Sequence, residues 1–539
     1  MKPKSPLGRS AGVVVPLFSL HTARSWGIGD IADLARCQAW LRRAGLQAVQ
    51  VLPLGTLPPG ETSPYSALSA MAIDPIYVAV DQAHDFQALG GDARLPLDEQ
   101  IALRRARSSP HVAYGEVREV KESALRLAFS LFWDVDWVRT TARAGAFAAF
   151  ASWEDWWLGD YALYSALRAR HGNRPWTQWP AQLRDRDPDA LDTARRELEQ
   201  DVLFHQYVQW VADEQWELAR EQLGAIRLFG DFPFMVSTDS ADVWANQHLF
   251  RFDRTVGTPP DAFSETGQDW GLPLYRWDVM HAEDYRWLRQ RGKRMARLFD
   301  GYRVDHLVGF FRTYSRPLGE IRGSFDPAAK VDQIALGERL LTLFLESGAQ
   351  VIAEDLGLIP DFVRESMARL GVPGYKVLRW ERKWKVEGQP FIDPASYPAI
   401  SVVATSTHDI EPLALWWETI DEEERRAFMR LLDTESSGPP ITDLNVGAHG
   451  VRPRSATTPF TPAVRDALLN LAYAAGSDLL LAPIQDLFGW PDRINTPATV
   501  GGQNWTWRLP LAVDALESDP VAIQRADALR ALAQRTGRL

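Results

Sequence analysis

Eight short apolar runs punctuate the chain: GVVVPLFSL (12–20), AVQVLPL (48–54), IRLFGDFPFMV (226–236), YRVDHLVG (302–309), AQVIAEDLG (349–357), YKVLRW (375–380), ISVVATSTHD (400–409) and SDLLLAPIQD (477–486). Short, nearly continuous apolar runs rich in β-branched residues mark strands covered on both faces, as in a parallel sheet. Helical patterns lie between most of them. IADLARCQAWLRRAG (31–45) and VDQIALGERLLTLFLESG (331–348) place apolar residues near i, i+3 and i+4. This alternation predicts an α/β chain folded as a (β/α)8 TIM barrel. A doubly wound open sheet is the competing arrangement. No glycine-rich phosphate loop follows the first run, which weighs against its nucleotide-binding form.

The spacing is uneven. About 170 residues separate the second and third runs, far more than an ordinary connection needs. VREVKESALRLAFSLFW (117–133) and ARRELEQDVLFHQYVQWVADEQWELAREQLG (194–224) have helical period within that gap. We therefore expect one catalytic barrel over 1–539 with mainly helical insertions: a helical subdomain at 80–200, a loop insertion at 245–285 and an insertion after strand seven at 418–462. The stretch from 434 to 462 is rich in Pro, Gly, Ser and Thr and reads as a loop. The 31 residues after Arg508, with a helical pattern at 519–534, leave no room for a C-terminal β domain.

Composition narrows the partners. The net charge of -11 and the lack of a long basic run argue against nucleic acid and anionic membrane surfaces. A single cysteine, Cys37, allows no intrachain disulfide and no cysteine metal cluster, which fits a cytoplasmic protein. The apolar N-terminus is short and carries Pro16, so it reads as a first strand rather than a signal peptide. No uninterrupted apolar stretch is long enough to span a membrane. The 22 Trp divide between packing and platforms for flat apolar faces such as sugar rings.

In such barrels the chemistry sits at the C-terminal ends of the strands. There the runs deliver Asp231, Asp305, Glu354-Asp355, His408-Asp409 and Gln485-Asp486. Arg303 and Asp305 share a strand face, and Val304 and His306 the other. An adjacent arginine lowers a carboxyl pKa, so Asp305 is expected to be ionised. Glu354 emerges from an apolar run, so desolvation is expected to keep it protonated. One charged and one neutral carboxyl is the pairing that glycoside chemistry uses. Taken singly, Arg-x-Asp reads as a structural ion pair, and AED and THD as strand ends or caps. Their joint placement on three strands favours the catalytic reading.

These residues resemble the 4-α-glucanotransferases (amylomaltase, or disproportionating enzyme) of the α-amylase clan. The likeness runs through GIGD (27–30), VLPLG (51–55), SPYSALSA (63–70), GDFPFMVSTDSADVW (230–244), GTPPDAFSETGQDWGLPLY (257–275), RVDHLVGF (303–310), IAEDLG (352–357), THD (407–409), PIQDLFG (483–489) and RINTPATVGGQNWTWRL (493–509). It implies that Asp305 is the nucleophile, Glu354 the general acid and base, and Asp409 the residue that holds the sugar hydroxyls and favours the distorted ring. It further implies substrate-binding roles for Tyr65, Ser63, Asp231, Arg303, His306 and His408, and for Asp261, Phe263, Gln268 and Trp270 of a long active-site loop. The implied reaction is retaining transfer of α-1,4-glucan segments between maltooligosaccharides, with no metal or organic cofactor and with the chain a monomer or weak homodimer. An α-glucan hydrolase using the same triad and a non-catalytic glucan-binding barrel are the alternatives. The chain departs from the family pattern at Asp74, Ala262 and Leu272 and over 316–327, 374–380 and 407–417.

Overall fold

The computed structural model describes residues 8–260, 267–435, 459–497, 499 and 501–539. Eight parallel strands follow one another around a closed barrel: β1 (Ser10–Val14), β2 (Ala48–Gln50), β3 (Arg227–Phe232), β4 (Gly301–Val304), β5 (Gln350–Ala353), β6 (Gly374–Val377), β7 (Ser401–Ala404) and β8 (Leu479–Pro483). β1 pairs with both β2 and β8, which closes the ring. Every predicted run supplies one strand. The strands are shorter than the runs because each run continues past the last ladder hydrogen bond and onto the rim.

The two-sided apolar pattern has a direct cause. Ala48, Phe229, Ile352, Tyr375, Val377, Val402, Ala404, Leu479 and Leu481 pack with one another in a small buried cluster. Their neighbours Val49, Leu228, Val351, Val403 and Leu480 belong instead to the main core. Alternate residues of each strand thus fill the barrel interior and the layer beneath the helices. Continuing the interior set towards the rim leads to Asp231 on β3, Arg303 on β4 and Glu354 just beyond β5. The register agrees, with Asp231 opposite Arg303 and Arg303 opposite Ile352. Gly301 is required by this crowding: a Cβ there would lie 2.4 Å from the Phe229 ring.

Residues 80–200 form mostly helix, including Leu97–Ser108, Tyr114–Phe132, Ala142–Trp153, Asp155–Arg170 and Pro188–Glu197. The expected helix at 194–224 is two helices, broken at Leu198, and the longer one spans Glu199–Leu223. That helix packs on Ile31–Arg36, and its Trp216 donates to the Leu298 carbonyl at 2.7 Å, so it belongs to the barrel's outer layer. The expected helix at 31–45 is likewise split, at Cys37.

Of the stretch 257–275, read as a loop, residues 257–258 and 268–275 are strand. Phe250–Thr258 pairs antiparallel with Gln268–Tyr275, and the sheet extends through Thr313–Pro317 and Ser324–Asp326. A helix, Glu422–Glu435, opens the 418–462 insertion; the loop expected at 434–462 lies mostly outside the described residues. The C-terminal pattern at 519–534 is the helix Pro520–Arg535. Among the described residues, no helix is long and apolar enough to cross a membrane.

Candidate active site

Arg303 is the centre of the site. Its side chain is only 8% exposed, and a guanidinium buried that deeply needs carboxylate partners. It has three. Nη1 donates to Asp231 Oδ2, while Nη2 donates at 2.8 Å both to Asp305 Oδ1 and to Glu354 Oε2. Two oxygens each 2.8 Å from one nitrogen lie at most twice that distance apart. This bound is short of the roughly 6.5–9.5 Å of an inverting pair.

The chain turns sharply after β4. His306 has φ of 44°, a left-handed conformation that costs a non-glycine residue about 1–3 kcal/mol. The turn aims the His306 N–H at Glu354 Oε2, at 2.9 Å. It also lifts the imidazole off the outer face expected for it. The ring centroid lies 5.6 Å from that of Phe234 and 5.0 Å from that of Trp270. The second strand of the antiparallel sheet, Gln268–Tyr275, therefore reaches the end of β4 through Trp270, whose indole N–H donates to Gln268 Oε1.

Asp409 enters from the end of β7. His408 Nε2 is 3.1 Å from Asp409 Oδ2, and Asn495 Nδ2 donates to Oδ1 at 2.7 Å. Tyr65 joins the two halves. Its hydroxyl donates to Asp231 Oδ2 at 2.8 Å and lies 3.0 Å from His408 Nε2, and its ring stacks on His408 with centroids 5.6 Å apart. Ser63 accepts the Tyr65 backbone N–H, so it shapes the turn that presents the tyrosine. One cavity is lined by Arg303, Glu354, Trp380, His408 and Asp409.

The protonation pattern differs from the one expected. A single guanidinium cannot neutralise one buried and two part-buried carboxyls, so protons are retained. Burial, reinforced by the neighbouring charge of Glu354 and opposed by Arg303, pushes Asp305 well above the usual carboxylate range. Burial likewise raises Asp231. Burial also works against Glu354, but Arg303 and the His306 N–H outweigh it and hold Glu354 below its ordinary value. The expectation of an ionised Asp305 and a neutral Glu354 counted the arginine for one carboxyl and desolvation for the other. In the structure both carboxyls share both influences, and they titrate as a pair. Asp409 lies low: burial is outweighed by His408, the Asn495 hydrogen bond and Arg303.

The rim acids separate into two groups. Asp231, Asp305, Glu354 and Asp409 converge on Arg303 and Tyr65. Asp355 accepts the Tyr375 N–H and pairs with Arg364, and Asp486 accepts from Thr405, Ser406 and the Leu413 N–H, so both acids brace the rim. Asp261, Phe263 and Ala262 lie outside the described residues. Of the tryptophans, Trp153, Trp156, Trp380 and Trp384 are exposed, and Trp270 is half-buried beside His306. Sequence reading missed Asn495, Arg493 and Trp505, whose ring lies 5.9 Å from that of Tyr65. All three fall inside the 493–509 motif, whose position after β8 was their one available signal.

A family model described as 4-alpha-glucanotransferase matches residues 15–513. The 4-alpha-glucanotransferase of Thermus thermophilus is 34% identical over 530 residues, covering 95% of this chain and 96% of its own. That of Chlamydia pneumoniae is 30% identical over 512 residues, covering 94% and 92%. Among solved structures, an amylomaltase from Streptococcus agalactiae in complex with acarbose superposes with a TM-score of 0.79 at 25% identity, over 98% of this chain and 99% of that one.

Proposed function

The chain belongs to the 4-alpha-glucanotransferase family, and from that premise we propose that Asp305, Glu354 and Asp409 carry out glucan transfer by double displacement. The enzyme moves α-1,4-glucan segments between maltooligosaccharides. An Asp305 oxygen attacks the anomeric carbon of the donor. The glycosidic C–O bond breaks, and its oxygen takes a proton from Glu354. This leaves a glucosyl ester on Asp305. Glu354 then removes the proton from the 4-hydroxyl of an acceptor, which attacks the same carbon and releases Asp305. Two inversions give retention.

Before the first step the proton held by the pair must rest on Glu354. We place that shift at donor binding, when the glycosidic oxygen offers Glu354 an acceptor and the sugar covers Asp305. Asp409, held low by His408 and Asn495, remains a charged acceptor for sugar hydroxyls. Tyr65 and Trp270 offer aromatic faces on either side of the reacting carbon. Covering the site in this way favours a glucan hydroxyl over water.

The shared Arg303 Nη2 carries this reading, because it keeps the two carboxyls closer than an inverting pair, which must admit a water. Incubation with maltotriose tests it. Transfer yields glucose and a ladder of longer oligomers at constant total reducing ends. A steady rise in reducing ends would identify a hydrolase instead, and maltooligosaccharide binding without turnover a non-catalytic barrel.

A further inference from the structure

Asp409 is the triad member least fixed by its own strand, yet its carboxylate and its backbone are both tied. Arg493 Nη2 donates to the Asp409 carbonyl at 3.2 Å, and Arg493 Nε donates to the carbonyl of Asn495 at 3.2 Å. Asn495 in turn holds the Asp409 carboxylate. One guanidinium therefore sets both the peptide that carries Asp409 and the residue that orients its side chain.

Arg493 is itself held from behind. Its Nη1 donates to Glu411 Oε1 at 2.5 Å. The other Glu411 oxygen accepts from Arg379 Nη1 at 3.3 Å, and Arg379 Nη2 donates to the Glu411 carbonyl. Arg379 is 6% exposed and lies over the Trp416 ring, 4.9 Å from its centroid. Burial lowers its pKa to about 10, so it stays a cation at neutral pH. Arg379 follows β6, Glu411 follows β7 and Arg493 follows β8. Two of the stretches that depart from the family pattern, 374–380 and 407–417, meet in this bridge.

We propose that Glu411 is a positioning residue for the transfer reaction. By clamping Arg493 between itself and Asp409, it fixes where the Asp409 carboxylate meets the sugar. This rests on the assignment of Asp409 to the reacting centre. Glu411 acts through Arg493 and Asn495. Losing its charge leaves two guanidiniums facing each other, and their repulsion moves Arg493 off the Asp409 carbonyl. Because the hydroxyl contacts of Asp409 tighten as the ring distorts, misplacement acts on the transition state more than on the bound ground state.

The test is maltotriose disproportionation by Glu411→Gln, Arg493→Met and the double variant, with rates expressed per folded molecule from the unfolding baseline. Each single variant is expected to lower kcat by about tenfold to a hundredfold with KM within about threefold of wild type. The double variant is expected to fall within about twofold of the worse single one, because both remove the same link. A kcat for folded Glu411→Gln within about twofold of wild type, or losses that multiply in the double variant, would overturn the proposal. Should Glu411→Gln fail to fold, Glu411→Asp serves. It keeps the charge but is too short to reach both arginines, and an undiminished kcat there overturns the proposal equally. Absence of wild-type transfer in the same assay would sink the proposed function, whereas wild-type transfer with unaffected variants sinks this inference alone.

Discussion

The two sides of the cleft hold their acids by different means. On the β3–β5 side, Asp231, Asp305 and Glu354 gather on one arginine that is 8% exposed, and the strand register already places them together. On the β7–β8 side, the Asp409 side chain is 44% exposed and is held by Asn495 and Arg493, which come from a loop. The carboxyls proposed to break and make bonds are set by the sheet. The carboxylate proposed to grip sugar hydroxyls is set by connections, and its place depends on the Arg493 and Asn495 contacts that brace it.

The most severe break in this contrast is on the sheet side. Asp305→Asn is expected to lower maltotriose transfer by at least about a thousandfold while unfolding stays cooperative, as thermal melts would show. Near wild-type turnover would remove Asp305 from the nucleophile role. Glu354→Gln is expected to stop turnover of maltotriose yet allow an aryl glucoside with a good leaving group to load Asp305, seen as a mass increase of one glucosyl unit. Failure to trap any adduct counts against the two-step route.

Arg303→Met comes next and addresses stability. It leaves the buried Asp231 and the part-buried Asp305 and Glu354 without their cation, at a cost of about 3 kcal/mol in denaturant titrations. A loss below about 1 kcal/mol would show that the carboxyls find other partners. Asn495→Ala is expected to be milder, lowering kcat by about tenfold to a hundredfold with the melting temperature little changed.

The finest distinction is in pH dependence. Asp305 is raised in the folded protein, so its contribution is full below the ordinary carboxylate pKa of about 3.9 and is lost as pH rises through its folded value. Asp305→Asn escapes that loss and should gain stability relative to wild type as pH increases. Asp409 is depressed, so its contribution is present above about pH 4 and is lost as pH falls further. Asp409→Asn should therefore be less stable than wild type at neutral pH, with the gap closing in acid. Parallel pH–stability curves for the two variants would erase the contrast.

The sheet side was legible in the sequence and the loop side was not. Alternation along the eight runs gives the strands, and the rule that chemistry sits at strand ends delivers Asp231, Asp305, Glu354 and Asp409 along with Asp355 and Asp486, which the family resemblance narrows to three. Asn495 and Arg493 reach Asp409 from beyond the next strand, and no local pattern encodes that meeting. The strand pairing within 257–275 was hidden by its prolines and glycines, which read as loop although Pro259 and Pro260 follow the strand Phe250–Thr258. The protonation states depended on how many carboxyls share Arg303, which only packing reveals. Asp355 and Glu354 are adjacent in sequence, yet one braces β6 and the other faces the cleft.

The nitrogen shared by Asp305 and Glu354 has a consequence for the whole cycle. In the proposed double displacement, ester formation erases one negative charge at Asp305 just as proton donation creates one at Glu354, and deglucosylation runs the exchange backwards. Seen from Arg303, the pair presents the same total charge at every stage; only its address changes. The guanidinium never has to be resolvated or repositioned, so a cation sealed inside the barrel can serve an alternating reaction without moving.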